Sequence, residues 1–307
     1  MNLSLPNLRR RRRLLLEVFL AGNLLFLAVD IFFAHSVNSF REPVEWLPLW
    51  FSLAGGLVLF GLLASGRGPD VPVMRWAGAV IGALSVGVGI WGTVLHLESA
   101  FFRRFALDGL IYAAPFVAPL AYAGIGFLLL ANRAGLFRPA DDDFGWGQWV
   151  TMFAAGGFAG NFVLSLLDHE QNGFSFWTEW IPVVAAALAV SNLILVGLRR
   201  APAPGLVRLA VLTLLLQVGV GLLGFWLHLG AGISAIGGRP FEAFVHGAPP
   251  FAPLLFADLA VLAGIGLLAL PASSGSGGPG HSSPRRWCRS ISTNWAIRSE
   301  WPAIRKV

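Results

Sequence analysis

Two twelve-residue stretches of this chain follow one pattern: VGVGIWGTVLHL at residues 86–97 and VGVGLLGFWLHL at residues 218–229. Each stretch leads from spaced glycines to a Leu-His-Leu end, so His96 and His228 occupy matching positions. Small residues at this spacing let neighbouring helices approach closely inside a membrane. The pattern predicts two related, closely packed helices, each with a histidine at one end.

A second pair of stretches precedes the first pair: HSVNSFREPVEWLP at residues 35–48 and HEQNGFSFWTEWIP at residues 169–182. The two share a His, an Asn, a Phe, a Glu-Trp pair and a Pro without a gap. A weaker match joins the Ala-Gly-Ile-Gly segments at 123–126 and 263–266, after an insertion that follows Pro119 and Pro253. Together these matches predict a tandem duplication in which His35 pairs with His96 and His169 with His228.

Composition indicates a membrane protein, because 56% of the residues are hydrophobic and only 12% are charged. Soluble domains carry about a quarter charged residues. Apolar runs of about twenty residues are long enough to cross a bilayer as helices, and helices satisfy every backbone polar group there. We predict an all-α integral membrane protein with eight transmembrane helices, at 14–34, 46–65, 76–97, 109–131, 148–168, 178–198, 206–229 and 251–270.

Four helices per copy give both copies the same orientation, with a pseudo-two-fold axis along the membrane normal. We expect a basic N-terminus at 1–13, a first four-helix repeat at 14–131 and a second repeat at 148–271. A solvated linker at 132–147, with aspartates at 141–143, joins the repeats. The Ser-, Gly- and Pro-rich tail at 272–307 lacks a helical period, which is typical of disorder.

The fourth helix of each copy begins among prolines: Pro115, Pro119, Pro249, Pro250 and Pro253. Proline cannot donate a backbone hydrogen bond and kinks or ends a helix. Irregular backbone at membrane depth is tolerated where protein or a wet cavity surrounds it. We therefore expect an irregular segment near the outer end of each fourth helix.

The distribution of basic residues predicts the topology. All but four of the 22 Lys and Arg residues fall on one side of the predicted spans, and the exceptions are Arg41, Arg103, Arg104 and Arg239. Positive charge favours the cytoplasmic side, so both termini are expected there, in a bacterial-type inner membrane. The basic face would meet anionic headgroups of the lipid bilayer, and no nucleic acid is implied.

Several functional classes are disfavoured by the motifs that the sequence lacks. The single cysteine, Cys288, excludes an internal disulfide and cysteine-based metal sites. The sequence contains no Walker motif, no C-x-x-C-H for covalent haem and no H-E-x-x-H for a zinc protease. An enzyme that acts alone is the least favoured class, although the sequence does not exclude it.

The four paired histidines form the candidate site. The first and third helices of a copy run in the same direction, so their histidines lie at a similar depth near the outer side. Two imidazoles placed in this way suit a b-type haem or a copper or zinc ion. Glu45 and Glu179 are candidates for a further ligand or for an acceptor that orients a ring. Asp30 and Asp258 lie within spans, where ionisable groups are functional candidates.

A purely structural interpretation of the same residues stays open. A histidine at a helix end is often an interfacial anchor, and Glu45-Trp46 and Glu179-Trp180 could simply begin the second helix of each copy. Asp30 and Asp258 have no counterpart in the other copy. They could be buried partners of Asn23 or of an outer arginine.

Three functions follow from these alternatives. The first is a transporter or channel for a small solute or ion, in which the histidines and carboxylates couple protons; this rests on analogy with other duplicated bundles. The second is a haem- or metal-binding redox subunit. The third is a non-catalytic scaffold or assembly subunit, associated with other membrane subunits or with further copies of itself.

Overall fold

The structure, a computed structural model, describes residues 11–66, 71–134, 143–199 and 201–270. The first half contains α1 (Arg12–Ser36), α2 (Trp46–Ala64), α3 (Pro72–Glu98), α4 (Phe101–Arg104), α5 (Leu107–Ile111) and α6 (Leu120–Ala134). The second half contains α7 (Asp143–Glu170), α8 (Trp180–Gly197), α9 (Pro204–Ala235), α10 (Pro240–His246) and α11 (Leu254–Ala269). Two 3₁₀ turns, Pro43–Glu45 and Trp177–Glu179, precede α2 and α8.

Some sequence predictions lie outside the described residues. They concern the basic N-terminus up to residue 10, the aspartates at 141 and 142, and the tail from residue 271 onward. Two parts of the predicted linker at 132–147 are helical, because α6 continues to Ala134 and α7 begins at Asp143.

The apolar helices indicate a membrane protein. In the part of the chain that the structure describes, six helices are long and apolar enough to cross a membrane: α1, α2 with its 3₁₀ turn, α3, α7, α8 with its 3₁₀ turn, and α9. The two remaining predicted spans contain the shorter apolar helices α6 and α11. Three helices, α3, α9 and α10, begin with proline, whose missing N–H needs no partner at that position.

The expected start of the fourth helix at residue 109 is wrong. The short helix α5 ends at Ile111, residues 112–119 are not helical, and α6 begins only at Leu120. In the second half α11 begins at Leu254, directly after Pro253. Pro115 and Pro119 supply no backbone N–H, so a continuous hydrogen-bonded helix cannot run through this segment.

The second half forms a closed four-helix arrangement. Helix α7 packs on α8 and α11, and α9 packs on the same two helices, so α7 and α9 occupy opposite corners. In the first half α1 packs mainly on α2 and α3 mainly on α6, while these two pairs make sparser contacts with each other. The halves contact each other where α1 meets α11 and where α6 meets α7.

The close packing of α3 on α6 can be compared residue by residue with the packing of α9 on α11. A Cβ on Gly89 would lie 2.9 Å from the Pro119 carbonyl oxygen, and one on Gly221 would lie 3.0 Å from the Pro253 carbonyl oxygen. The nearest backbone beyond each proline belongs to Ala123 in the first half and to Ala257 in the second. Each alanine follows its proline by four residues. Helices α6 and α11 therefore align from Pro119 and Pro253 to these alanines without an insertion.

The match of Ala-Gly-Ile-Gly at 123–126 with 263–266 is therefore not a match of position. Gly126 packs on α3, where its Cβ would lie 2.7 Å from the Val86 nitrogen. Gly266 instead packs on α7, where its Cβ would lie 2.6 Å from the Thr151 hydroxyl. The two glycines serve different helix contacts, because the proline and not the glycine motif sets the register of each fourth helix.

A buried ion pair joins α1 to α6. Arg133 donates from Nη2 to Glu17 Oε2 at 2.5 Å, and Asn132 donates to Glu17 Oε1 at 2.6 Å. The side chains of Glu17 and Arg133 are each only 1% exposed. Gly78 of α3 makes room for this arginine, because a Cβ there would lie 2.7 Å from Nε. Arg133, expected in a solvated loop, is thus part of the packed interior.

Removing one member of this pair should destabilise the protein strongly. We predict that Arg133→Met lowers the free energy of unfolding by about 3–5 kcal/mol, since it leaves the Glu17 charge buried and uncompensated. The double variant Glu17→Met/Arg133→Met should recover most of that loss. Thermal unfolding in detergent measures both effects.

The control is Arg239→Gln, which breaks the solvent-exposed pair with Glu242. It should change the stability by less than about 1 kcal/mol. Equal losses for Arg133→Met and Arg239→Gln would contradict a special role for the buried pair.

Candidate functional site

Three of the four paired histidines lie in the last turn of a long helix. His35 ends α1, His96 ends α3 and His169 ends α7. His228 differs, because α9 continues beyond it to Ala235. All four rings are half-buried.

A backbone carbonyl orients one histidine of each pair. His96 Nδ1 lies 3.0 Å from the Pro115 oxygen, and His228 Nδ1 lies 2.9 Å from the Pro249 oxygen. A carbonyl oxygen can only accept, so Nδ1 carries the proton and donates in both bonds. In a neutral ring the lone pair is then on Nε2, the nitrogen that can bind a metal.

A carboxylate lies beside the other histidine of the first pair. His35 Nδ1 is 3.8 Å from Glu45 Oε2, and the two side chains are 23% and 12% exposed. Asn38 holds the same carboxylate by donating to Oε1 at 2.7 Å. In the second half Asn172 likewise donates to Glu179 Oε1, at 3.0 Å.

The loop between the histidine and the glutamate has the same shape in both halves. Phe40 and Phe174 have positive φ angles of 49° and 50°, and each donates its backbone N–H to the carbonyl of the preceding histidine at 3.1 Å. Phe40 stacks on Trp46 with ring centroids 4.1 Å apart, and Phe174 stacks on Trp180 at the same separation. This packing brings each glutamate back toward the helix end that carries its histidine.

One pair of histidines is in ring contact, and the other pair interacts electrostatically. The rings of His169 and His228 lie 6.3 Å apart between centroids and are nearly perpendicular. His35 lies close enough to His96 for electrostatic interaction. A metal about 2.0–2.1 Å from a nitrogen of each ring would place two opposed ring centres about 6 Å apart.

Among the residues that the structure describes, no three His, Cys, Asp or Glu side chains are grouped so that they could hold a metal ion. Each pair therefore contains one imidazole whose Nδ1 donates to a proline carbonyl, and in the first pair the other imidazole lies beside a carboxylate. Such a pair can supply two opposed ligands to one metal centre.

The intramembrane acids lie elsewhere. Asp258 accepts a 2.9 Å hydrogen bond from Asn23, which joins α11 to α1 across the two halves. Asp258 and Asn23 are both partly buried at this contact. Asp30 lies two helical turns beyond Asn23 on the same side of α1, near Tyr122. We call this contact zone between α1 and α11 the seam.

Sequence reasoning missed several residues that shape the site. Asn38 and Asn172 were present in the matched stretches, and their constant seven-residue spacing to a glutamate was a usable signal. The carbonyls of Pro115 and Pro249 gave no such signal. Every residue has a backbone carbonyl, so the sequence does not mark which carbonyl will accept a hydrogen bond. Away from the site, the buried Glu17 was also missed, since its partners in α6 are distant along the chain.

No protein-family model, no curated protein and no solved structure matches this chain. The candidate site is therefore described from its own residues alone.

The contact between α3 and α6 should be needed for the orientation of His96. We predict that Gly89→Leu destabilises the protein by about 1–3 kcal/mol, because an added side chain would collide with the Pro119 segment. The same clash should move Pro115 away from His96 Nδ1. Thermal unfolding and the nitrogen NMR shifts of the His96 ring report the two effects.

Gly87→Leu is the matched control on the same helix, since nothing lies within 4 Å of a Cβ at Gly87. It should leave both measurements unchanged. A similar loss of stability in the Gly87 variant would contradict the assigned contact.

Proposed function

We propose that this chain is a membrane redox subunit that binds one b-type haem in each half, between His35 and His96 and between His169 and His228. The observation that carries the proposal is the partner that Nδ1 contacts in three of the four imidazoles. Two of the four donate from Nδ1 to a proline carbonyl, and a third has its Nδ1 beside a glutamate. Histidines that bind a metal typically donate their other ring nitrogen in this way.

A haem iron suits two imidazoles better than a bare zinc or copper ion does. The porphyrin fills four coordination positions of the iron, so two axial ligands complete the set. A structural zinc ion takes four protein ligands and a catalytic one takes three. A flat macrocycle takes one protein ligand on each face. Two helices at opposite corners of a bundle, such as α7 and α9, could each supply one of these ligands.

The histidines and the glutamates would have different roles at each site. His96 and His228 would hold the iron through Nε2, with ring orientation fixed by the proline carbonyls. His35 and His169 would supply the second ligand of each site. Glu45 would accept from the His35 ring, and Glu179 would act on the His169 ring through its charge alone. The haem would contribute reversible one-electron chemistry when bound.

The proposal includes an internal duplication with both halves in the same orientation. The equal histidine–proline bonds, asparagine–glutamate bonds and Phe–Trp stacks support it. Helices α6 and α11 would complete eight spans, with both sites near the outer side of a bacterial-type inner membrane and both termini in the cytoplasm. That placement suits exchange of electrons with a partner on the outer side.

The absorbance of the protein purified from haem-replete cells tests this function. We expect a Soret band that His96→Ala weakens to about half, because one of two sites loses a ligand, and that His96→Ala/His228→Ala abolishes. His246→Ala is the control, since His246 is exposed and belongs to neither pair. A spectrum without a Soret band, together with the absence of Fe, Cu and Zn on metal analysis, would rule out the redox function.

Proton-coupled transport is the second candidate, and the seam favours it. The hydrogen bond between Asn23 and Asp258 lies between the two halves, which is where parallel-repeat transporters place their sites. Asp30 adds a second carboxylate to the same side of α1. In this function the four histidines would carry protons between the seam and the outer side.

Proteoliposomes with an entrapped pH dye test the transport function. The wild-type protein should dissipate an imposed pH gradient faster than empty vesicles, and Asp258→Asn should remove most of that difference because it deletes the intramembrane charge. Asp108→Asn, at an exposed outer carboxylate, is the matched control and should have no effect. Identical rates with and without the protein would exclude proton transport.

A further inference from the structure

We propose that the two imidazole sites differ in reduction potential, that the site of His35 and His96 has the lower one, and that Glu45 is the positioning residue responsible. This inference rests on the proposed haem function. It goes further by assigning the two sites unequal roles, which the duplicated sequence pattern does not suggest.

The first observation is the unused oxygen of Glu45. Asn38 occupies Oε1. Oε2 is buried and has no hydrogen-bond partner within the described ranges, and it lies 3.8 Å from His35 Nδ1. A small shift of either side chain would let Nδ1–H donate to this oxygen, which would satisfy both groups.

The second observation is that each oxygen of Glu179 already accepts a hydrogen bond within its own loop. Asn172 donates to Oε1 at 3.0 Å, and the backbone N–H of Phe176 donates to Oε2 at 3.4 Å. This second bond closes the first turn before α8. Both oxygens of Glu179 thus accept within the loop, whereas Oε2 of Glu45 accepts no hydrogen bond within the described ranges and lies beside its histidine.

The other histidine of each site does not create a difference. His96 and His228 both donate to a proline carbonyl, at 3.0 and 2.9 Å. The Asn–Glu bonds and the Phe–Trp stacks also recur in the two halves. The second oxygen of the glutamate is thus the contact that distinguishes one site from the other.

The chemical consequence follows from the charge of the acceptor. A carboxylate that accepts from Nδ1–H makes the imidazole a more basic ligand than a ring bonded elsewhere. A more basic ligand stabilises the ferric state, which carries the extra positive charge, and so lowers the reduction potential. Transfer of one electron is then favourable from the first site, which is oxidised, to the second, which is reduced.

Potentiometric titration of the haem-loaded full chain tests the proposal. We expect two midpoints in the wild-type protein, and the His228→Ala background assigns the lower one to the first site. Glu45→Gln should favour reduction of that site about tenfold, equal to 59 mV for one electron. Glu179→Gln is the matched control and should move the other midpoint much less.

Glu45→Asp provides a second variant that keeps the charge and withdraws it from the ring, and it should produce a smaller shift in the same direction. A wild-type protein that retains no haem overturns the proposed function itself. Two bound haems with a single midpoint, or equal shifts for Glu45→Gln and Glu179→Gln, overturn this inference alone. If Glu45→Gln fails to load haem, the Glu45→Asp titration decides.

Discussion

The close contact of a helical glycine with the proline segment of the neighbouring helix is the constraint on which the site depends. Gly89 meets the Pro119 segment so closely that no side chain fits, and Gly221 meets the Pro253 segment at a separation where a Cβ would be tight. This contact draws the non-helical segment before the fourth helix against the third helix. The carbonyls of Pro115 and Pro249 then come within hydrogen-bond distance of a histidine in each half.

The two halves use this shared geometry in different surroundings. In the first half a buried ion pair, Glu17 with Arg133, joins α1 to α6, two helices that otherwise have few contacts with each other. In the second half Gly266 packs directly on Thr151, and α7 and α11 are in extensive contact. A buried ion pair costs desolvation energy, and its directional bonds favour one arrangement of the helices. The contact between α1 and α6 is accordingly held by directional polar bonds, whereas α7 and α11 are held by close packing.

Hydropathy predicts the six long helices because an uninterrupted apolar run leaves the helix as the structure that satisfies its backbone. Pro115 and Pro119 predict an irregular segment near the outer end of the fourth helix, and residues 112–119 are indeed not helical. The prolines do not fix the extent of that segment, so the start of α6 was predicted too early. The tandem pattern selected the histidines and glutamates, but it could not locate a backbone carbonyl or the Glu17–Arg133 pair. Such contacts join residues far apart in sequence and become visible only in three dimensions.

The central claim is that each half presents two opposed imidazole nitrogens to one metal centre. Titration of the haem-free protein with haem, followed by the spectrum of the bound pigment, tests it most directly. The account predicts saturation at two haems per chain, each low-spin with two axial imidazoles. Saturation at no haem, or binding that persists unchanged when all four histidines are replaced, would contradict it.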